Sequence, residues 1–285
     1  MEISTINNQS DQPTVLVTGS TSGIGKRMAE KYASKNYHVI VHWRNEKRGT
    51  QLRDKLSSVS SGTIEFYKED FSNHEDVFEF ATRIKREYDA INILHNNAGG
   101  YFSGTTTLET GIDYTFAVNH LAPFVLTGAL QQILTDNARV ITTASEAHRM
   151  CNFNINHLQS NWSASLAYAR SKLANILFTK YLDSELQPTQ SAYCFHPGII
   201  LSTDLYPSLP GLKKLGTVLG KTIFSTIEDG AETGVWLGTT SEQLHPGGYF
   251  SHQNRMRPRK LTRNTNLQEM LWNETKQLSG FNKLY

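Results

Sequence analysis

Cysteine is almost missing from this 285-residue chain, which carries only Cys151 and Cys194. Neither sits in a CxxC pair, so a disulfide framework, structural zinc and dithiol redox chemistry are all excluded. Both are expected to be buried small hydrophobes in a reducing compartment. Long apolar runs are missing too, since no window approaches the roughly 18 residues of a membrane span. Charge of one sign is nowhere concentrated, and a net charge of +2 gives no argument for nucleic acid. The densest basic stretch, RMRPRKLTR at 255–263, reads as a solvated loop. The opening MEISTINNQSDQ has neither a basic n-region nor an apolar h-region, so residues 1–12 are expected to be a disordered polar terminus. None of the ten histidines shows metal-ligand spacing, and no metal is expected. These absences leave a soluble, cytoplasmic globular protein.

What is present is an alternation. TVLVTG (14–19), YHVIVHW (37–43), TIEFYKED (63–70), INILHNNAG (91–99), ARVITTAS (138–145), QSAYCFHPG (190–198) and GGYFS (247–251) read as seven strands. Helical spacing appears in GIGKRMAEKYASK, in EKRGTQLRDKLSS, in HEDVFEFATRIKREY, across an apolar stretch near 109–134, and in 165–186. Strands alternating with such helices predict an α/β fold: a single Rossmann-type, doubly wound parallel sheet with helices on both faces. No repeat or linker interrupts it, so residues 13–285 are read as one domain.

The loop TGSTSGIGK (18–26) between the first strand and first helix is rich in glycine. A Walker A loop needs a glycine where Ser20 stands and a hydroxyl where Arg27 stands, so the triphosphate reading fails. Gly19, Gly23 and Gly25 remain, in a spacing that lets a backbone approach a pyrophosphate at a helix N-terminus. A purely structural turn has the same spacing. Further along, NNAG closes the fourth strand and Ser145 ends the fifth, both at the carboxyl edge where open α/β sheets bind ligands. Tyr168 and Lys172 are four apart and share a helix face. An ammonium beside a phenol stabilises the phenolate and suits it to proton transfer, and a serine hydroxyl can hold a substrate carbonyl.

With TGSTSGIG, NNAG, VNHLAPF, RVITTAS, YARSK and HPGIILS in this order, residues 13–251 resemble the short-chain dehydrogenase/reductases. The resemblance implies a catalytic tetrad of Asn119, Ser145, Tyr168 and Lys172. Tyr168 would be the general acid/base, Lys172 its partner and a contact of the nicotinamide ribose, Ser145 the carbonyl holder, and Asn119 the anchor of a water-mediated proton relay. It implies cofactor contacts from Gly19, Ser20, Ser22, Gly23, Ile24 and Gly25, from Asn97, Ala98 and Gly99, and from Pro197, Gly198, Ile200 and Ser202. Asp70 would meet the adenine, with a helix N-cap as its competing role. Twenty-two residues separate Ser145 from Tyr168. Together with SEAHR and LAYARSKLANILFT they resemble the branch of retinol dehydrogenases, the WW-domain oxidoreductase and protochlorophyllide reductases. Unlike those relatives, this sequence is expected to carry neither an N-terminal anchor nor a WW domain before the fold.

Cofactor choice is argued from charge. NAD sites place a carboxylate after the second strand, and an arginine there suits a 2′-phosphate. Here Trp43 and Arg44 stand in that place, so NADPH is expected, although Arg44 also reads as an exposed loop residue. His196 and His120 read as packing or hydrogen-bonding histidines rather than bases. By the resemblance, residues 203–227 fall where the family's substrate lid lies, with Leu212, Leu215, Val218, Leu219 and Ile223 at helical spacing. A membrane-surface helix flanked by Lys213, Lys214 and Lys221 is the rival reading. Tyr101, Phe102, Phe153 and Trp162 read as cavity lining or as core. The expected function is an NADPH-dependent carbonyl reductase or alcohol dehydrogenase of lipophilic aldehydes, ketones or alcohols, with a homo-oligomer possible by analogy. The alternative is a non-catalytic NADPH-binding regulatory or scaffold protein.

Overall fold

The computed structural model describes residues 12–57, 63–103, 107–153, 162–198 and 225–281. Residues 1–11, Ile200, Ser202 and the expected lid up to residue 224 lie outside the described residues.

Eight strands form one sheet in the order β3-β2-β1-β4-β5-β6-β7-β8. They are β1 Thr14–Val17, β2 His38–Trp43, β3 Ile64–Lys68, β4 Ile91–Asn96, β5 Leu134–Thr143, β6 Ser191–Phe195, β7 Tyr249–Ser251 and β8 Asn254–Arg255. The first seven pair in parallel; β8 is an added antiparallel strand, returned through His252 and Gln253 at φ 48° and 59°. Side chains alternate across the sheet. Val15, Val17, Val39, Val41, Ile141, Tyr193 and Phe195 enter one core, while Leu16, Ile40, Val140 and Ala192 enter the other. Both faces are therefore apolar, and each needs helices over it.

One face is covered by α1 (Gly23–Ala33), α2 (Glu46–Ser57) and α6 (Ile227–Thr239). The opposite face carries α3 (His74–Glu87), α4 (114–130) and α7 (Thr265–Ser279), with α5 (Ala164–Glu185) between α4 and α7. Helix α4 is composite: Tyr114–Phe116, a π-helical turn Ala117–Leu121, then Ala122–Leu130.

The stretch near 109–134 is shorter as a helix than its apolar pattern predicts. Asp113 caps it, accepting from the Phe116 N–H at 3.0 Å, and Leu134 already belongs to β5. A turn with Gly111 at φ 81° precedes the cap. Two helices, α6 and α7, are absent from the sequence reading, though their end signals are local. Thr226 and Asp229 form a reciprocal capping box before α6. Asn264 caps α7 and Gly280, at φ 70°, ends it. No described helix is long and apolar enough to cross a membrane.

The strand order reverses direction at β1 and β4, which opens a crevice at their carboxyl ends.

Candidate active site

The described residues expected at the site all lie along that carboxyl edge. Gly19 and Ser20 follow β1, and Ser22 to Gly25 open α1. Arg44 follows β2, Asp70 follows β3, and Asn97, Ala98 and Gly99 follow β4. Ser145 follows β5, Pro197 and Gly198 follow β6, and Asn119, Tyr168 and Lys172 come from α4 and α5.

The glycine loop is held by neighbours as much as by its own sequence. Gly19 (φ 66°) and Gly23 (φ 53°) take the left-handed backbone that favours glycine. A Cβ on Gly25 would lie 2.3 Å from the Gly19 carbonyl oxygen and 2.4 Å from Asn97 Nδ2, so no side chain fits there. Asn97 donates from Nδ2 to the Thr18 carbonyl at 2.9 Å and accepts from Thr143 at 3.2 Å, so its amide braces the loop against β5. Thr18 Oγ1 accepts from the N–H groups of Asn97 and Ala98, at 2.9 Å each.

His42, which the motifs did not single out, completes the bracing. The Gly19 N–H donates to its Nδ1 at 3.1 Å, which leaves the proton on Nε2 to donate to the Glu69 carbonyl at 3.1 Å. Burial pushes this imidazole down to about 4, so it stays neutral.

A dinucleotide fits this cradle on two observations. Ser22 at the N-cap of α1 makes no side-chain capping bond, and no acidic residue stands in the first turn. The helix therefore presents unsatisfied N–H groups and an uncompensated dipole beside a loop that only glycine can form.

The catalytic candidates converge from three elements. Pro123 lacks the N–H that would bond the Asn119 carbonyl in an α-helix, and Asn119 sits in the π-helical turn just before it. Its side chain closes a ring with Gly100, accepting from the N–H at 2.9 Å and donating to the carbonyl at 3.0 Å. Nδ2 also donates to Ser171 Oγ at 3.0 Å. On α5, Tyr168 and Lys172 are both buried, with Lys172 Nζ 5.6 Å from the centre of the tyrosine ring. Nζ donates to the Thr143 carbonyl at 3.0 Å, at the end of β5. Burial pushes this ammonium down to about 8, so at neutral pH it is still mostly charged.

Ser145 accepts from the Ala147 N–H at 3.2 Å, which leaves its own hydroxyl proton to donate elsewhere. His148 holds it from behind: Nδ1 donates to the Ser145 carbonyl at 2.7 Å, and Nε2 accepts from the Arg259 N–H at 3.3 Å. Beside it, burial pushes the Glu146 carboxyl up, but donation from Arg149 and Tyr249 outweighs this and keeps it below the usual carboxylate range.

His196 accepts from the Gly198 N–H at 3.1 Å and is pushed down to about 4 by burial. Its Nε2 lies 3.6 Å from Glu146, and a neutral ring makes no ion pair there. His120 contacts Asn175 and Thr275 and is also pushed to about 4 by burial. Asp70 accepts from the Ser72 N–H, and the cap of α3 is Asn73 instead.

Among the aromatic residues, Tyr101 faces Tyr168 at 5.9 Å between ring centres. Phe102 packs on Tyr114, whose hydroxyl accepts from Arg44 at 2.7 Å. Phe153 joins the core around Leu173, and Trp162 lies under the Arg170 guanidinium.

Comparison with known proteins gives the same frame. The family model described as short chain dehydrogenase matches residues 13–210. Human (Homo sapiens) polyprenol dehydrogenase is 30% identical over 279 residues, covering 93% of this chain and 84% of its own length. Mouse (Mus musculus) retinol dehydrogenase 12 is 32% identical over 286 residues, covering 98% of this chain and 90% of its own. A solved short chain dehydrogenase from Burkholderia cenocepacia J2315, in complex with NADP, superposes with a TM-score of 0.69. It is 22% identical and covers 83% of this chain and 94% of its own.

Proposed function

The chain belongs to the short chain dehydrogenase family, and on that premise we propose that it is an NADPH-dependent reductase or dehydrogenase of lipophilic carbonyls and alcohols. The coarser statement follows from membership: it is an oxidoreductase of CH–OH and C=O groups that uses a nicotinamide dinucleotide.

The observation that carries the mechanism is the buried Tyr168–Lys172 pair on one face of α5. When bound, the dinucleotide supplies or takes the hydride. In the reducing direction Tyr168 gives its hydroxyl proton to the substrate oxygen, and the Lys172 ammonium stabilises the phenolate left behind. Ser145 donates to the same oxygen and orients it. Asn119 keeps the 99–100 backbone in place, since a Cβ on Gly99 would lie 2.7 Å from Asn119 Oδ1. Burial of Lys172 strengthens each of these interactions.

Two observations support NADPH over NADH. Trp43 fills the place of an NAD-selecting carboxylate and is packed under Gly49, where a Cβ would lie 2.3 Å from the indole. Arg44 is exposed next to it, and Glu46 is paired with Lys68 at 2.9 Å. The lipophilic substrate class rests on the polyprenol and retinol dehydrogenases among the relatives and on Tyr101 beside Tyr168.

The test is cofactor oxidation with a panel of apolar aldehydes and ketones. NADPH should outperform NADH in kcat/KM, and Tyr168→Phe should lower kcat by about two to four orders of magnitude with cofactor binding retained. Equal turnover by Tyr168→Phe would remove the proposed acid/base. Tight NADPH binding without turnover in either direction would favour a non-catalytic cofactor-binding protein.

A further inference from the structure

The basic stretch 255–263 is mostly exposed, as its composition predicts, and is also built into a concave surface. It forms one wall of a cavity of about 450 Å³, closed on the other side by Lys180 of α5 and by Gly248 and Tyr249 at the start of β7. Four cations line the cavity (Lys180, Arg255, Arg257 and Arg263), and among the described residues its lining contains no carboxylate. The one phenol in the wall, Tyr249, already donates to Glu146.

Elsewhere on this surface several basic side chains find acidic partners, as in Arg27–Glu228, Lys68–Glu46, Arg83–Glu87 and Arg149–Glu146. Among the described residues, Arg255, Arg257 and Arg263 have no carboxylate within ion-pair reach. Like charges gathered around one concavity repel one another and raise the local potential, and that arrangement is relieved by a bound anion.

The wall is also held in place before any ligand arrives. The Arg257 carbonyl accepts from Arg149 at 2.7 Å. The Arg259 N–H is tied to His148, and its guanidinium donates to the Cys151 carbonyl and to Asn152. On the facing wall, Lys180 is steadied by donation to the Gly247 carbonyl at 3.1 Å. Lys180 lies eight residues beyond Lys172 on α5, about 12 Å along the helix. The described lining of the cavity shares no residue with the glycine loop or the catalytic candidates.

We propose that this cavity binds a small, multiply charged phosphorylated anion, through Arg255, Arg257 and Arg263 with Lys180. The chemistry favours phosphate over a single carboxylate. Guanidinium groups grip phosphate oxygens two at a time, and a volume of this size accommodates several phosphoryl groups. A free polyphosphate and a phosphorylated lipid headgroup share this chemistry.

The test is calorimetric titration of the full chain with inorganic tripolyphosphate at 0.15 M salt, beside sedimentation with phosphatidylcholine vesicles with and without phosphatidylinositol bisphosphate. The double variant R257Q/R263Q separates this cavity from the glycine loop, which also attracts phosphate. Both side chains are exposed, so the variant should fold, and an unchanged thermal midpoint checks that it has. Arg255→Gln provides a second variant. Tripolyphosphate binding weakened about tenfold or more by R257Q/R263Q would establish the site with a soluble ligand. Vesicle binding lost in the variant, without tripolyphosphate binding, would establish it with a lipid headgroup as the source. Identical behaviour of the wild type and both variants, or binding of neither probe, would overturn the proposal.

Discussion

In the proposed mechanism Lys172 is the side chain on which proton transfer turns. Its folded pKa of about 8 lies below the ordinary lysine value because it is buried. Below pH 8 the ammonium is present and can stabilise the phenolate of Tyr168; above it that support fades. The kcat of carbonyl reduction should therefore fall as pH rises through about 8, while Lys172→Arg, permanently charged, should move that descending limb upward if it retains activity. A pH profile of both forms measures this, and a limb that stays put in the arginine variant would assign it to another group. The same shift has a stability sign. The folded lysine releases its proton earlier than the unfolded one, so this group's contribution grows between pH 8 and about 10.5 and is missing below.

At the scale of elements, helix α7 reaches the proposed catalytic centre without touching it. Thr275 contacts His120 Nε2 at 3.1 Å, and His120 Nδ1 contacts Asn175 at 3.2 Å. Asn175 donates to the Thr143 carbonyl, which is also the acceptor for Lys172. All three residues are buried, so a lost partner leaves a polar atom unsatisfied at a cost of about 1–3 kcal/mol. Thr275→Val keeps the shape and removes the hydroxyl. It should lower unfolding free energy by that amount in urea titrations and lower kcat several-fold with KM little changed. Thr275→Ser, which restores the hydroxyl, should recover kcat. If stability falls while kcat does not move, the chain of contacts is purely structural.

Across the whole molecule, buried imidazoles set the acid limit. Burial pushes His42, His120 and His196 to about 4 and His95 to about 3. The unfolded chain protonates them near 6.5, so it takes up protons that the fold refuses. Each contributes stability that is present above pH 6.5 and lost as pH falls toward 4, at up to about 1.4 kcal/mol per pH unit. Asp113 and Asp183, raised by burial, act in the opposite sense at the lower end. Thermal midpoints should drop steeply between pH 6.5 and 4. His120→Gln or His95→Gln should flatten that slope, and an unchanged slope in both would remove the histidines as its cause.

The sequence by itself determined the parallel core. Alternating Val15, Leu16 and Val17, or Val39, Ile40 and Val41, leave neither face of the sheet tolerant of water, and that pattern is local. It also determined the order in which TGSTSGIG, NNAG, Ser145 and YARSK meet the carboxyl edge. Even α6 and α7 were legible in principle, through Thr226 and Asp229 and through Asn264 and Gly280, because caps act over three or four residues. Only the tertiary structure decided which polar groups brace them. His42 under Gly19, Arg259 behind His148 and Thr275 behind His120 are separated from their partners by 23, 111 and 155 positions, respectively. The cavity beside Lys180 likewise joins residues that no spacing rule connects. Burial, tautomer and charge neutralisation depend on what surrounds a side chain from every direction, and only a folded chain supplies that.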